Sequence, residues 1–205
     1  GPSGAGKSTI FDLLLKFIQP QTGEIFINGQ PLSVTEPPAW RAAISYVPQF
    51  PHLFAGTLRD NICFGVEANT EMVDKAIALA GLEDLVRRLP VGCDTRIGEG
   101  GIGLSGGETR RVAIARAFFR DAPVLLMDES MTSLDPLNEK LIQDSIREQQ
   151  KNRTVLVIAH RPSTAKYADR ILVLDKGSLI ESGTHETLLR SKNGFYHRLV
   201  HATSG

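Results

Sequence analysis

Three groups of residues in this chain have the types and spacing for phosphate chemistry. The first is Gly1-Pro2-Ser3-Gly4-Ala5-Gly6-Lys7-Ser8-Thr9, which fits the pattern G-x-x-x-x-G-K-[ST] at every fixed position. Glycines let such a loop curl until several backbone N–H groups point inward at phosphate oxygens. Lys7 would reach the β- and γ-phosphates of a nucleotide, and the Ser8 hydroxyl would ligate Mg²⁺. The second group is Asp128-Glu129, at the end of the apolar run Val124-Leu125-Leu126-Met127. Asp128 could hold Mg²⁺ directly or through water, and Glu129 could orient or deprotonate a water that attacks a γ-phosphate. The third is Leu104-Ser105-Gly106-Gly107-Glu108, a small-residue turn before a helix whose N-terminus would attract an anion. Each has a plainer alternative: a glycine-rich turn, two carboxylates that solvate a strand end, a flexible connection. Their occurrence in one chain favours the chemical reading of all three.

The elements that must position these groups follow from periodicity. Ser8–Phe17 reads as a helix whose positive end faces the phosphates. Residues 24–28 alternate apolar and polar and meet Gly29, so a strand ending in a turn is expected. Ile44–Val47 is a second short strand, stopped by Pro48. Over Thr70–Ala80 the period changes: Met72, Val73, Ala76, Ile77 and Ala80 share a helix face, with Thr70 as N-cap. A short helix over Leu82–Leu89 stops at Pro90. Val124–Met127 reads as a strand buried on both faces. Asp135 then caps a helix with Pro136 at its first position and Leu137, Leu141, Ile142 and Ile146 inward. Thr154–Ile158 and Ile171–Leu174 read as further buried strands, and Lys176-Gly177 as a hairpin turn into Leu179-Ile180. The alternation predicts an α/β fold with a mainly parallel sheet. Open sheets of that kind place ligands at the carboxyl ends of their strands, where Asp128 and Glu129 stand. The middle of the chain, residues 50–105, reads as helical and as a separate lobe.

Composition narrows the class. A chain of 205 residues suits one domain with a smaller lobe, and 41% hydrophobic with 22% charged residues is ordinary for a globular protein. With 23 basic and 23 acidic residues the formal net charge is zero, which argues against nucleic acid as a partner. No stretch approaches the roughly 20 consecutive apolar residues of a membrane span. Cys63 and Cys93 match no metal-ligand spacing and read as free thiols.

A fixed order of motifs carries a resemblance. The phosphate loop is followed by Gln49 in Val47-Pro48-Gln49, then Leu104–Glu108, Asp128-Glu129, Ser133-Leu134-Asp135 and Ala159-His160-Arg161. In that order they resemble the nucleotide-binding domain of ATP-binding cassette (ABC) proteins across residues 1–161. The resemblance implies a P-loop NTPase core, residues 1–49 and 120–205, a helical lobe of residues 50–119 bearing the signature turn, and ATP with Mg²⁺ as ligands. Gly1, Ser3, Gly4, Ala5, Gly6, Lys7, Ser8 and Thr9 would surround the phosphates, with Ser8, Gln49 and Asp128 on the metal. Glu129 would be the catalytic base. His160 would hold the γ-phosphate and the attacking water, and Gln49 would report the γ-phosphate to the helical lobe. Ser105, Gly106 and Gly107 would meet ATP held by a second such domain, and Asp135 would reach across that interface. Asp135 is equally an ideal helix N-cap, Gln49 could be a solvated loop residue, and His160 a structural one.

Within the family, Thr95–Gly101 resembles the loop that exporters turn toward their membrane helices. Phe50–Asn61, with Phe54-Ala55-Gly56-Thr57-Leu58, resembles the groove that receives a coupling helix. Arg161–Thr164 and Ala168–Arg170 are also exporter-like. Trp40-Arg41 and Pro51–Thr57 resemble bacterial exporters of cysteine and glutathione needed for cytochrome bd assembly. The implied whole is a motor at the cytoplasmic face of the membrane. Its partners would be a second nucleotide-binding domain, identical or different, a transmembrane domain in the same full-length chain, and a transported small molecule. The family places a strand and an adenine-stacking aromatic residue before the phosphate loop. The chain therefore reads as truncated, with its first strands and transmembrane domain upstream, and as folding poorly alone. Two departures stand out: Glu108 where the signature usually ends in Gln, and Ser130-Met131 after the catalytic Glu. Competing readings are a soluble ABC ATPase of chromosome maintenance, DNA repair or translation, and an ATP-binding regulatory subunit with little turnover. The lack of any heptad run between phosphate loop and signature counts against a chromosome-type protein, and the exporter-like loop at Thr95–Gly101 against the soluble class as a whole. The retained Glu129 counts against the regulatory reading.

Overall fold

The computed structural model describes residues 1–67, 69–128, 135–159 and 161–202. Along the chain run α1 (Lys7–Leu14), β1 (Phe26–Ile27), β2 (Gln30–Pro31), α2 (Pro37–Ala42), β3 (Ile44–Val47), β4 (Gly56–Thr57) and α3 (Leu58–Cys63). Then come α4 (Thr70–Leu79), α5 (Glu83–Arg88), β5 (Arg96–Ile97), α6 (Gly106–Arg120), β6 (Val124–Asp128), α7 (Pro136–Gln149) and β7 (Thr154–Ile158). The last elements are α8 (Pro162–Ala165), β8 (Ile171–Asp175), β9 (Ser178–Gly183), α9 (His185–Arg190) and α10 (Phe195–Ala202). Among the described residues no helix is long and apolar enough to cross a membrane. The chain divides into two compact units, Gly1–Ala42 with Val157–Gly205, and Ala43–Leu156.

In the first unit α1 stops at Leu14, three residues short of the expected Phe17. Lys16 takes a left-handed φ of 55° and donates through Nζ to the carbonyls of Leu32, Ser33 and Thr35 at 2.9, 3.3 and 2.5 Å. Trp40 and Arg41 serve the same helix end: Trp40 Nε1 donates to Leu14 O at 2.5 Å and Arg41 Nη1 to Leu15 O at 3.5 Å. Those carbonyls lie in the last turn of a helix, where no further backbone donor follows. The strand expected over residues 24–28 shrinks to β1, paired antiparallel with β2 across Asn28-Gly29 at φ 51° and 79°. The later hairpin is longer, with β8 antiparallel to β9 from Ile171↔Gly183 to Asp175↔Ser178. Ile171–Leu174 is thus not a strand buried on both faces. Ile171 and Val173 join Leu188 and Tyr196 in a core, while the alternating Leu172 is 52% exposed.

In the second unit β3 pairs parallel with β6, from Ile44↔Val124 to Val47↔Met127, in a sheet of order β3-β6-β7. As the central strand, β6 keeps Leu125, Leu126 and Met127 fully buried. In β7 only Ile158 is buried, so the fully buried strand expected there is half-covered instead. Helix α6 packs Val112, Ala113, Ile114 and Ala115 inward, against α3, α4 and β3. The N-cap of α4 is Asn69, whose side chain accepts from Met72 N–H at 2.9 Å, and Thr70 is the first helical residue. Val73, Ala76, Ile77 and Ala80 of the expected face are buried, whereas Met72 is exposed. Leu137 likewise sits in solvent, because α7 turns Ile142, Ser145 and Ile146 inward. Ser145 Oγ donates to Leu79 O at 2.8 Å and ties α7 to the end of α4.

Candidate functional site

In the first unit the phosphate loop curls through Gly4 and Gly6, at left-handed φ of 76° and 93°. Gly6 is the N-cap of α1 and brings no side chain to its first-turn amides. Lys7 Nζ donates to Gly1 O at 3.0 Å and Pro2 O at 2.8 Å, which folds its ammonium back over the loop. The β8–β9 hairpin supports this shape. Gly177 N–H donates to Ala5 O at 3.1 Å, and a Cβ on Gly1 would lie 1.9 Å from Leu174 O. Ala5 is buried, while Ser3, Ser8 and Thr9 are exposed. Amides at a helix N-terminus beside one ammonium fit a polyphosphate.

In the second unit the parallel register brings the carboxyl ends of β3 and β6 to one edge. Asp128 closes β6 there, 4% exposed, and Gln49 follows β3 by two residues. Arg110, buried on α6, donates through Nη2 to Gln49 O at 2.8 Å and ties the Gln49 turn to that helix. Sequence pattern does not separate Arg110 from the neighbouring arginines of α6, because its partner lies 61 residues away. By type, the Gln49 amide and Asp128 carboxylate of the second unit, and separately the Ser8 hydroxyl of the first, are hard oxygen donors of the kind Mg²⁺ takes. Glu129, Ser133 and His160 lie outside the described residues.

The signature turn is a capping box. Ser105, in extended conformation, caps α6 by accepting from Glu108 N–H at 3.3 Å. Its own N–H and Oγ–H both donate to Glu108 Oε2 at 2.8 Å. The other carboxylate oxygen, Oε1, pairs with Arg88 Nη2 from α5. Burial pushes the Glu108 carboxyl up, but the Ser105 hydrogen bonds and the Arg88 charge together outweigh it and hold the group below its ordinary value. Asp135 caps α7, accepting from Leu137 N–H at 3.2 Å and Asn138 N–H at 3.1 Å. The Asn138 side chain, then the backbone donors, hold its carboxyl below the usual range.

Two segments read separately in the sequence meet in the second unit. β4 pairs with β5 through Gly56↔Ile97 and Thr57↔Arg96, and Leu58 N–H donates to Thr95 O at 3.0 Å. The bend before β4 closes on buried Asn61, which accepts from Phe54 N–H at 3.1 Å and donates to Phe54 O and Thr57 O at 3.0 Å. Arg116 of α6 grips the same place. Its Nε donates to Asn61 O at 2.8 Å, and its guanidinium lies 5.5 Å from the Phe54 ring and 5.0 Å from the Phe64 ring. Phe50 and Phe64 remain 72% and 56% exposed, so the segment offers an aromatic surface.

The family model described as ABC transporter matches residues 1–132. The human mitochondrial iron-sulfur clusters transporter ABCB7 is 44% identical over 205 residues, 100% of this chain and 27% of that protein. The mycobactin import ATP-binding/permease protein IrtB of Mycolicibacterium thermoresistibile is 43% identical over 196 residues, 95% of this chain and 34% of its own. A solved structure of a bacterial Atm1-family ABC exporter with ATP bound matches with a TM-score of 0.94 at 43% identity, over 100% of this chain and 36% of that one. The chain thus spans 27% and 34% of the length of these two curated relatives. With the match running from the phosphate loop past Asp128 to residue 132, and the fold that of an exporter's ATPase, this chain belongs to the ABC transporter family as its nucleotide-binding part.

Proposed function

We propose that this chain is the ATP-binding and ATP-hydrolysing motor of an ABC exporter. ATP would join two such domains head to tail, and hydrolysis would release them, shifting a membrane domain between two states. The observation that carries this reading is the phosphate loop, with Gly4 and Gly6 in left-handed conformation, open amides on α1 and the Lys7 ammonium folded over it. Gly1, Ser3, Gly4, Ala5, Gly6 and Thr9 shape the loop and offer amides, and Lys7 exchanges its carbonyl partners for phosphate oxygens. Ser8, Gln49 and Asp128 would hold Mg²⁺, which when bound would neutralise negative charge on the phosphates. Glu129 activates water, His160 and Gln49 position it, and Ser105, Gly106, Gly107 and Asp135 serve the site of the partner domain. Residues 50–119 form the helical lobe and residues 1–49 with 120–205 the ATPase core. The aromatic surface around Phe50, Phe54 and Phe64 faces a transmembrane domain, which holds the motor at the cytoplasmic face of the membrane and carries the transported small molecule.

The test is ATP hydrolysis by the full-length protein carrying these residues, wild type against Glu129→Gln. A general base contributes about 10²–10⁴ in rate. A loss of that size with ATP binding retained supports a competent motor. An unchanged rate assigns turnover to the partner domain and makes this chain regulatory.

A further inference from the structure

An acidic residue in a turn that must approach a γ-phosphate is an electrostatic contradiction, and the geometry around Glu108 resolves it. The two carboxylate oxygens divide their work. Oε2 receives the N–H and Oγ–H of Ser105, which fixes the rotamer of the hydroxyl at the tip of the turn. Oε1 is taken by the guanidinium of Arg88, in the last turn of α5. The Glu108 side chain is 13% exposed and that of Arg88 67%, so the arginine lies over the carboxylate on its solvent side. Without Arg88 the carboxylate would keep the Ser105 hydrogen bonds and the α6 N-terminus but lose its opposite charge.

We propose that Arg88 is a positioning residue for ATP-driven pairing: by neutralising Glu108, which holds both donors of Ser105, it lets an acidic signature turn present the first α6 amides, at Gly106 and Gly107, to a phosphate. This rests on the motor reading above. It assigns α5, outside every motif, a part in the shared site. It also makes Arg88 and Glu108 an interdependent pair, in which losing the arginine is harmful only while the glutamate is charged.

The experiment is ATP-dependent hydrolysis by the full-length protein, comparing wild type, Arg88→Gln, Arg88→Lys, Glu108→Gln and the double variant Arg88→Gln/Glu108→Gln, with melting temperatures for each. Arg88→Gln should raise the ATP concentration for half-maximal rate about fivefold, the size of one well-formed ion pair, with kcat nearly unchanged. Arg88→Lys should keep most of the wild-type affinity, because it keeps the charge. The double variant should return to the Glu108→Gln value. An Arg88→Gln protein that behaves as wild type overturns the proposal. So does a double variant as impaired as Arg88→Gln alone, since that would make Arg88 a support of α5 and nothing more. A folded wild type that neither binds nor hydrolyses ATP refutes the motor reading itself, and the proposal with it.

Discussion

Arg116→Ala isolates the contact that holds the aromatic segment to the signature helix. Truncation removes the Nε donor to Asn61 O at 2.8 Å and the Nη2 donor to Asn61 Oδ1 at 3.2 Å. Oδ1 keeps Phe54 N–H as a donor, so the loss falls mainly on the Asn61 carbonyl. A charged hydrogen bond of this kind contributes about 1.5–3 kcal/mol. The guanidinium also stacks on Phe54 and Phe64, and each cation–π contact adds about 0.5–1 kcal/mol. Phe64 depends on that support, because it sits at a left-handed φ of 47° that a bulky residue rarely adopts. The sum is about 3 kcal/mol of local stability, or roughly a hundredfold in an opening equilibrium. Hydrogen exchange reads it directly at the amides of Phe54 and Leu58, whose acceptors are Asn61 Oδ1 and Thr95 O. Both should exchange roughly a hundredfold faster in the variant, while amides of β6 stay protected. Exchange within threefold of wild type at Phe54, by the same free-energy scale, would refute the assignment of Arg116 as the clamp.

Lys7→Ala removes the ammonium over the phosphate loop and should weaken ATP binding by about 10²-fold in equilibrium dialysis, with arginine a poor substitute because a fork replaces a point charge. Gly98→Ala should loosen the β4–β5 pair by about 2 kcal/mol, because φ is 77° there and a Cβ would stand 2.9 Å from Phe54 O; urea unfolding or exchange at Leu58 checks it. Glu108 gives a signed pH dependence. Its folded value lies below the unfolded 4.5, so the stability it adds to the start of α6 is complete above pH 4.5 and is lost as pH falls through the lower folded value. Exchange of the Glu108 and Thr109 amides against pH should show that slope, and Glu108→Gln should abolish it.

Local chemistry made much of this protein readable from its sequence. The phosphate loop, the Asp135 cap with Pro136 behind it, the Lys176-Gly177 turn and the buried run of β6 all follow from φ preferences and contacts a few residues apart. One error is local, since Asn69 rather than Thr70 caps α4; the others have one origin. Leu137 and Met72 fit their helices by period, yet face solvent, and the length of α1 depends on Lys16 and Trp40, whose acceptors are remote in the chain. Helical period fixes which residues share a face but not how wide a face the neighbours cover. In the same way the sequence named the phosphate loop, the signature turn and Asp128 as residue types suited to nucleotide chemistry, and the family resemblance added Gln49. Tertiary structure alone decided that Val47 lies beside Met127, that Arg110 holds Gln49, that β4 meets β5, and that Arg88 closes over Glu108. Those partners are 20 to 80 residues apart, and which of many equivalent arginines or apolar runs becomes a neighbour is settled only when the chain closes and buries one set of pairings together.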